Sequence, residues 1–457
     1  MAGIGFELGK LWKQGTYRSM FGAYGITTLM ESGPSLFLMI TILIICFFTL
    51  FATPKTHIVH EFLSTVIYLL SSSMIISAFL QYTFFRFIAD SLLTKNFNQM
   101  TPNYIGVLLI QLIISVLFSI PFIAYFFPHE TPVAKALIEI NLIILSLIWV
   151  SIVLLSGLKS FRRITWAFVL GYSSMLIAHF ITEQNTITYL LSEFLLAQTI
   201  LFVFLMFSIL DFYPSNQFIK FDFLKKGHIF YTLGLSNLCY TLGFWIDKYL
   251  FWFNPDTRYA PPHMLYLSPL YDVPLFIAYL SILPTISVFL LHMEARFSTI
   301  YPRFMETIFK RKTLAEINAV RTDLILAGRG ALFSLFKTQS MIVIILFLSV
   351  KTLFSFYGIL PIYMNLLLIL IVGVGLNVIL WGVLSILYYM TQYRHALYVT
   401  LTFLISNTLF TWLSFAAGPD YFGYGLSASL LLSLTISLIL LNKDFNELEY
   451  ITFMMTD

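Results

Sequence analysis

Long apolar runs recur along this chain, each about as long as a bilayer is thick, with short polar breaks between them. A spanning helix needs about 20 predominantly apolar residues. Such runs lie at roughly 19–51, 61–85, 104–127, 135–157, 165–182 and 187–210. A second set lies at roughly 230–253, 274–293, 339–358, 361–389, 397–417 and 425–441. The pattern predicts an all-α polytopic membrane protein with about 12 transmembrane helices. Composition agrees, because 59% of the residues are hydrophobic and only 11% are charged. A typical soluble domain has about 45–50% apolar and about 25% charged residues. Too few polar groups exist here to cover a water-facing surface, and the hydrophobicity excludes disorder. The longest run, 19–51, must tilt, kink or emerge from the membrane.

The chain divides at the polar segment 211–229, which predicts six helices in residues 1–210 and six in 230–457. Two such halves in parallel orientation are a common transporter plan. Lys and Arg set the expected orientation. Of 26 basic residues, 21 fall on one side with both termini, including eight between Arg296 and Lys337. The opposite side and its helix ends hold Lys55, Lys135, Lys248, Arg258 and Lys351. Both termini are therefore expected in the cytoplasm. The run after Arg18 is too long for a signal-peptide core and no small-residue cleavage site closes it, so it reads as a retained helix. Cys46 and Cys239 sit inside apolar runs, where thiols act as packing groups.

The longest cytoplasmic connection is expected at 294–338. Phe297, Ile300, Phe304 and Ile308 recur there at helical spacing, with Arg303, Lys310, Arg311 and Lys312 beside them. That pattern fits an amphipathic helix on the anionic inner leaflet, a docking surface for a cytoplasmic partner, or a solvated basic connector. Gly328 and Gly330 would permit a bend before the next span.

Catalytic signatures are missing. No G-x-x-x-x-G-K-[ST] loop, H-E-x-x-H pair or G-x-S-x-G elbow occurs, and no cofactor or metal spacing is present. Weight moves from enzymes to transport. An ionisable group at mid-bilayer costs about 2.5–3.5 kcal/mol or more, so intramembrane charges are functional candidates. Asp247 and Lys248 stand inside an apolar run, as does Glu31. Gly33 and Pro34 follow Glu31 and predict a helix kink, since proline removes a donor and clashes with the preceding turn. Tyr240, Trp245, Tyr249 and Trp252 share the Asp247 helix; such rings suit sugar faces or form an interfacial aromatic belt. Arg86 and Asp90 are spaced for an i,i+4 pair. Glu139, His179, Glu183, Asp272 and Lys351 are expected at solvated helix ends.

The opening Met1-Ala2-Gly3-Ile4-Gly5-Phe6-Glu7-Leu8, the Ser32-Gly33-Pro34 turn and the Gly243-to-Trp252 stretch with Trp245-Ile246-Asp247-Lys248 carry a resemblance. So do Tyr271-Asp272-Val273-Pro274-Leu275-Phe276, Pro284 and Glu294. Together they resemble the PelG family of exopolysaccharide exporters, over the whole chain. One departure is Gly9, where a basic residue is expected. The resemblance implies the MATE-like fold of the MOP flippase superfamily, with two six-helix bundles around a cavity. It implies export of Pel, a partly deacetylated N-acetylhexosamine polymer, across the bacterial inner membrane during biofilm matrix synthesis. The implied partners are a cytoplasmic UDP-sugar-dependent glycosyltransferase and other inner-membrane subunits, among them a cyclic di-GMP receptor; nucleic acid is not among them. The expected pathway residues are Glu31, Asp247, Lys248, Tyr240, Trp245, Tyr249 and Trp252. A flippase for a lipid-linked oligosaccharide and a small-molecule antiporter of the same fold are the alternatives.

Overall fold

A computed structural model describes residues 33–52, 56–94, 97–157, 160–182, 186–215, 217–225, 230–259, 265–310, 312–357 and 361–450. Among them are fourteen α-helices and no strand, only one isolated bridge between Tyr259 and Leu267. The first six helices are α1 (Gly33–Ala52), α2 (Thr56–Leu93), α3 (Met100–Phe126), α4 (Pro132–Gly157), α5 (Phe161–Thr182) and α6 (Ile187–Phe212). After α7 (Tyr231–Phe253) come α8 (Pro269–Leu280), α9 (Leu283–His292), α10 (Ser298–Phe309) and α11 (Leu314–Tyr357). The last three are α12 (Pro361–Tyr389), α13 (Tyr393–Ala417) and α14 (Tyr424–Asn446).

Every predicted apolar run is helical where it is described. Among the described residues ten helical segments are long and apolar enough to cross a membrane, where the sequence pattern predicts about twelve over the chain. The described part of the first run is a shorter apolar stretch, Leu36–Leu50, and α7 is diluted by its own polar residues. Helix ends overrun the apolar runs, because hydropathy reports bilayer thickness and not where backbone hydrogen bonding stops. Thus α2 extends through Arg86 and Asp90, which pair at 3.0 Å.

The run at 274–293 is two helices, α8 and α9, separated at Ser281 and Ile282. Pro284 stands in the first turn of α9. Its ring would clash with the carbonyl four residues earlier, and it donates no hydrogen bond, so the helix breaks there. A π-helical segment, Met293–Phe297, joins α9 to α10.

The chain forms two compact units. One contains the described residues of 32–245 and 258–267; the other contains the described residues of 246–257 and 268–457. In the first, α4 packs on α2 and α6, and α5 packs on α6 and α1. The described part of the predicted linker is docked, not loose. Lys220 donates its backbone N–H to Pro102 O at 3.0 Å, and Phe223 is fully buried against Phe84 and Phe87. A Cβ on Gly106 would stand 2.1 Å from Lys220 O, so only glycine admits the linker at this point of α3. In the second unit α12, α13 and α14 pack together, and α11 packs on α9, α10 and α12.

Within the connection 294–338, where an amphipathic helix is expected, residues 298–309 form α10. Phe297 and Phe304 are fully buried in the chain's own helices, so Phe304 faces neither lipid nor a partner. Lys310 pairs with Glu306 on the exposed side, Lys312 is exposed, and Arg311 lies outside the described residues. The helix does not end at Gly328 and Gly330, since α11 runs through both. Gly328 instead lets Phe297 and Phe445 approach, at 3.3 and 3.0 Å from where a Cβ would be.

Candidate functional site

The charged pair predicted in the seventh apolar run lies in the last two turns of α7. Asp247 has no exposed surface and Lys248 is 6% exposed. Neighbours on a helix point about 100° apart. The lysine stem is long enough to curl back, and Nζ reaches Asp247 Oδ1 at 3.3 Å. Tyr271, fully buried on α8, donates its hydroxyl to Asp247 Oδ2 at 2.6 Å. Lys248 Nζ also lies 5.6 Å from the centre of the Tyr279 ring, within the range of a cation–π contact.

A second carboxylate stands beside the pair. Trp252 donates its indole N–H to both oxygens of Asp272, at 3.1 and 2.9 Å, and Ser268 donates its backbone N–H at 3.0 Å. Asp272 interacts electrostatically with Lys248. The cluster therefore gathers two acids around one base. Its geometry is fixed by local rules. Ser268 is the residue before α8, Pro269 follows at the first helical position, and Asp272 reaches back to the Ser268 N–H. This resembles a capping box with one extra residue. Below it, Phe251 stacks on Tyr271 with centroids 3.8 Å apart, and Phe415 and Phe422 meet Phe251 edge-on.

The aromatic residues of α7 separate into two kinds. Tyr240, Trp245 and Tyr249 are half-buried and keep exposed ring surface. Trp252 is 1% exposed, so its ring is covered by protein and its N–H is spent on Asp272. Glu31 lies outside the described residues. Gly33 and Pro34 are the first residues of α1, and the expected kink involves chain before them that is also outside.

Two expectations of solvated helix ends change. Asp272 is held in the cluster just described. His179 is buried, its Nδ1 3.1 Å from Glu193 Oε2, and Thr182 donates its hydroxyl to Glu193 Oε1 at 2.8 Å. Glu139 accepts from Ser119 at 3.1 Å. Tyr271, Asp272 and Tyr279 were not among the expected site residues. The Ser268–Asp272 spacing, with a proline between, was the local signal for Asp272. Nothing local marks Tyr271 as the donor to Asp247, 24 positions away.

No group of three or more His, Cys, Asp or Glu able to hold a metal occurs among the described residues. The cluster holds two acids and one base in a buried setting, with the hydroxyl, indole and backbone donors around them directed at the acids.

No curated protein matches the sequence. Solved structures do match in fold. A MATE transporter in its bent conformation aligns with TM-score 0.68 and 15% identity, covering 98% of this chain and 99% of that one. An outward-facing multidrug resistance MATE family transporter of the MOP superfamily gives 0.67 and 14%, covering 93% and 96%. A MOP superfamily transporter from Pyrococcus furiosus gives 0.65 and 14%, covering 93% and 96%. These likenesses establish the fold. The PelG profile, described as "Putative exopolysaccharide Exporter (EPS-E)", matches residues 1–453. With multi-pass helices, a transporter fold and a match over nearly its whole length, the chain belongs to the PelG family of exopolysaccharide exporters.

Proposed function

We propose that this protein exports a Pel-type, partly deacetylated N-acetylhexosamine polymer across the bacterial inner membrane, with both termini in the cytoplasm. The observation that supports it most directly is the family match over residues 1–453. The 21-to-5 division of basic residues supports the orientation. Synthesis of the polymer by a cytoplasmic UDP-sugar-dependent glycosyltransferase, beside a subunit that binds cyclic di-GMP, belongs to the same reading and rests on the family resemblance. Exposed Lys310 and Lys312 are candidates for a partner or for the anionic membrane surface.

In this reading the buried cluster supplies negative charge to a polymer carrying free amines. Asp247 and Asp272 are the acids, and Lys248 restrains them. Tyr240, Trp245 and Tyr249 offer exposed ring faces, and Trp252 positions Asp272. Glu31 joins the pathway as a further acid. Contacts must be weak and repeated, because a tightly held chain could not leave; conducting pores obey the same rule.

The test is secretion by strains carrying Asp247→Asn or Glu31→Ala. Asparagine at 247 still accepts the Tyr271 hydroxyl, and Lys248→Met is combined with it so that no buried charge is stranded and folding is spared. Surface polysaccharide should fall with the membrane level of the protein unchanged. Normal secretion by both variants would remove these residues from the pathway.

A further inference from the structure

A second candidate site lies in the same unit, at the turn whose Phe422 meets Phe251. Between α13 and α14 the chain turns through Pro419, Asp420 and Tyr421, bracketed by Gly418 at φ 103° and Gly423 at φ 84°. A Cβ on Gly423 would stand 2.8 Å from Ile369 and 2.9 Å from Leu366, so the turn is pressed onto α12. Phe422 is buried and packs edge-on against Phe251 and Phe415, which anchors the turn.

The anchored turn closes one side of a cavity of about 410 Å³. Phe347 of α11 and Leu366 and Ile369 of α12 form apolar wall. Asn365, Asp420 and Tyr424 bring an amide, a carboxylate and a phenol ring to it, and all three are exposed. Tyr421 stands beside Tyr424 with centroids 6.1 Å apart. Under the proposed orientation this cavity opens on the outer side.

We propose that the cavity binds a sugar residue carrying a free amine, as a station for the polymer leaving the membrane. Its chemistry selects that class. Ring faces and apolar wall suit the C–H face of a sugar, and Asn365 suits a hydroxyl or acetamido group. Among the described residues lining the cavity Asp420 is the one that is charged, so charge complementarity favours an ammonium. An amine-bearing phospholipid shares the ammonium but also brings a phosphate, for which the described lining supplies no Lys or Arg.

The inference rests on the export reading, and the experiment separates the two. The full-length protein in phosphatidylcholine nanodiscs is titrated with glucosamine tetrasaccharide and with its N-acetylated counterpart. The wild type should prefer the amine form. A hydrogen bond to a charged group is worth enough that Asp420→Asn should weaken the amine form by roughly tenfold or more. The N-acetylated form should change less than about twofold by the same reasoning. Asn365→Leu, a second exposed position, should weaken both forms. Melting temperatures establish that each variant is folded. Equal binding of the amine form by wild type and Asp420→Asn overturns the proposal, as does loss of binding when phosphatidylethanolamine replaces part of the phosphatidylcholine. If the gene deletion abolishes secretion but binding ignores Asp420, the cavity fails and export stands. If the deletion strain secretes normally, the export reading fails whatever the cavity binds.

Discussion

Two buried ion pairs invite comparison: His179–Glu193 in the first unit and Asp247–Lys248 in the second. Their separations are similar, 3.1 and 3.3 Å, and all four residues are buried. They differ in what surrounds them. His179 and Glu193 join neighbouring helices α5 and α6, are joined by one further donor, Thr182, and form an ion pair only when the imidazole is protonated. Asp247 and Lys248 sit on one helix and draw in Tyr271, Tyr279 and Asp272 from the next. The first arrangement satisfies itself and stitches two helices together. The second collects an excess of acid, which a purely structural pair does not need.

Breaking one partner of each pair tests that distinction. Lys248→Ala should have the largest effect, because it strands Asp247; removing one partner of a buried pair costs about 3–5 kcal/mol. The protein's melting temperature and membrane level should both drop. The double variant Asp247→Asn with Lys248→Met should recover most of the stability and none of the secretion. Recovery of both would reduce the pair to packing. A Cβ at position 106 ranks next, since it meets a backbone oxygen that cannot rotate away. Gly106→Ala should destabilise the first unit by about 1–3 kcal/mol, read as a lower melting temperature. Glu193→Gln should cost about 1–3 kcal/mol through the weakened contact to His179, with secretion per folded molecule unchanged. Lost secretion from a stable Glu193→Gln protein would erase the difference between the pairs.

The smallest effect is expected in the linker. A hydrogen bond from Lys225, at 2.6 Å, holds the Asp222 carboxyl below the usual range, with Asn103 adding to it. A lowered carboxyl contributes stability above its unfolded value, and that contribution is lost as pH falls through its folded value. Melting temperature should therefore decline on acidification below the ordinary aspartate range, about pH 3.9. Asp222→Asn should flatten this part of the profile.

The fold was legible because an apolar solvent imposes one rule: backbone polar groups must be paired within each helix. Apolar runs therefore located every described α-helix except α10, which lies in the basic connection 294–338. Their ends were less legible, as α2 and α11 show, since polar residues continue a helix into water without a hydropathy signal. Asp247 and Lys248 were visible because they violate the apolar pattern. Tyr271 was not, because a tyrosine near a helix end looks like any interfacial ring until the partner helix is placed. Phe304 misled for a related reason: an apolar stripe reports that something covers it, and here the cover is α10's own neighbours.

The unbroken course of α11 has a mechanical meaning. At about 1.5 Å rise per residue, its 44 residues extend roughly 66 Å, twice the hydrocarbon thickness of about 30 Å. Near its first end, Arg321 donates to the Phe445 and Asn446 carbonyls and pairs with Glu449, and Arg329 donates to Asn442. Farther along the same helix stands Phe347, a wall of the cavity at the α13–α14 turn. A tilt of a few degrees about the braced first end would move a point that far along by several ångströms, on the order of a hydrogen-bond length. The helix that carries the Arg321 and Arg329 contacts thus also carries a wall of that cavity.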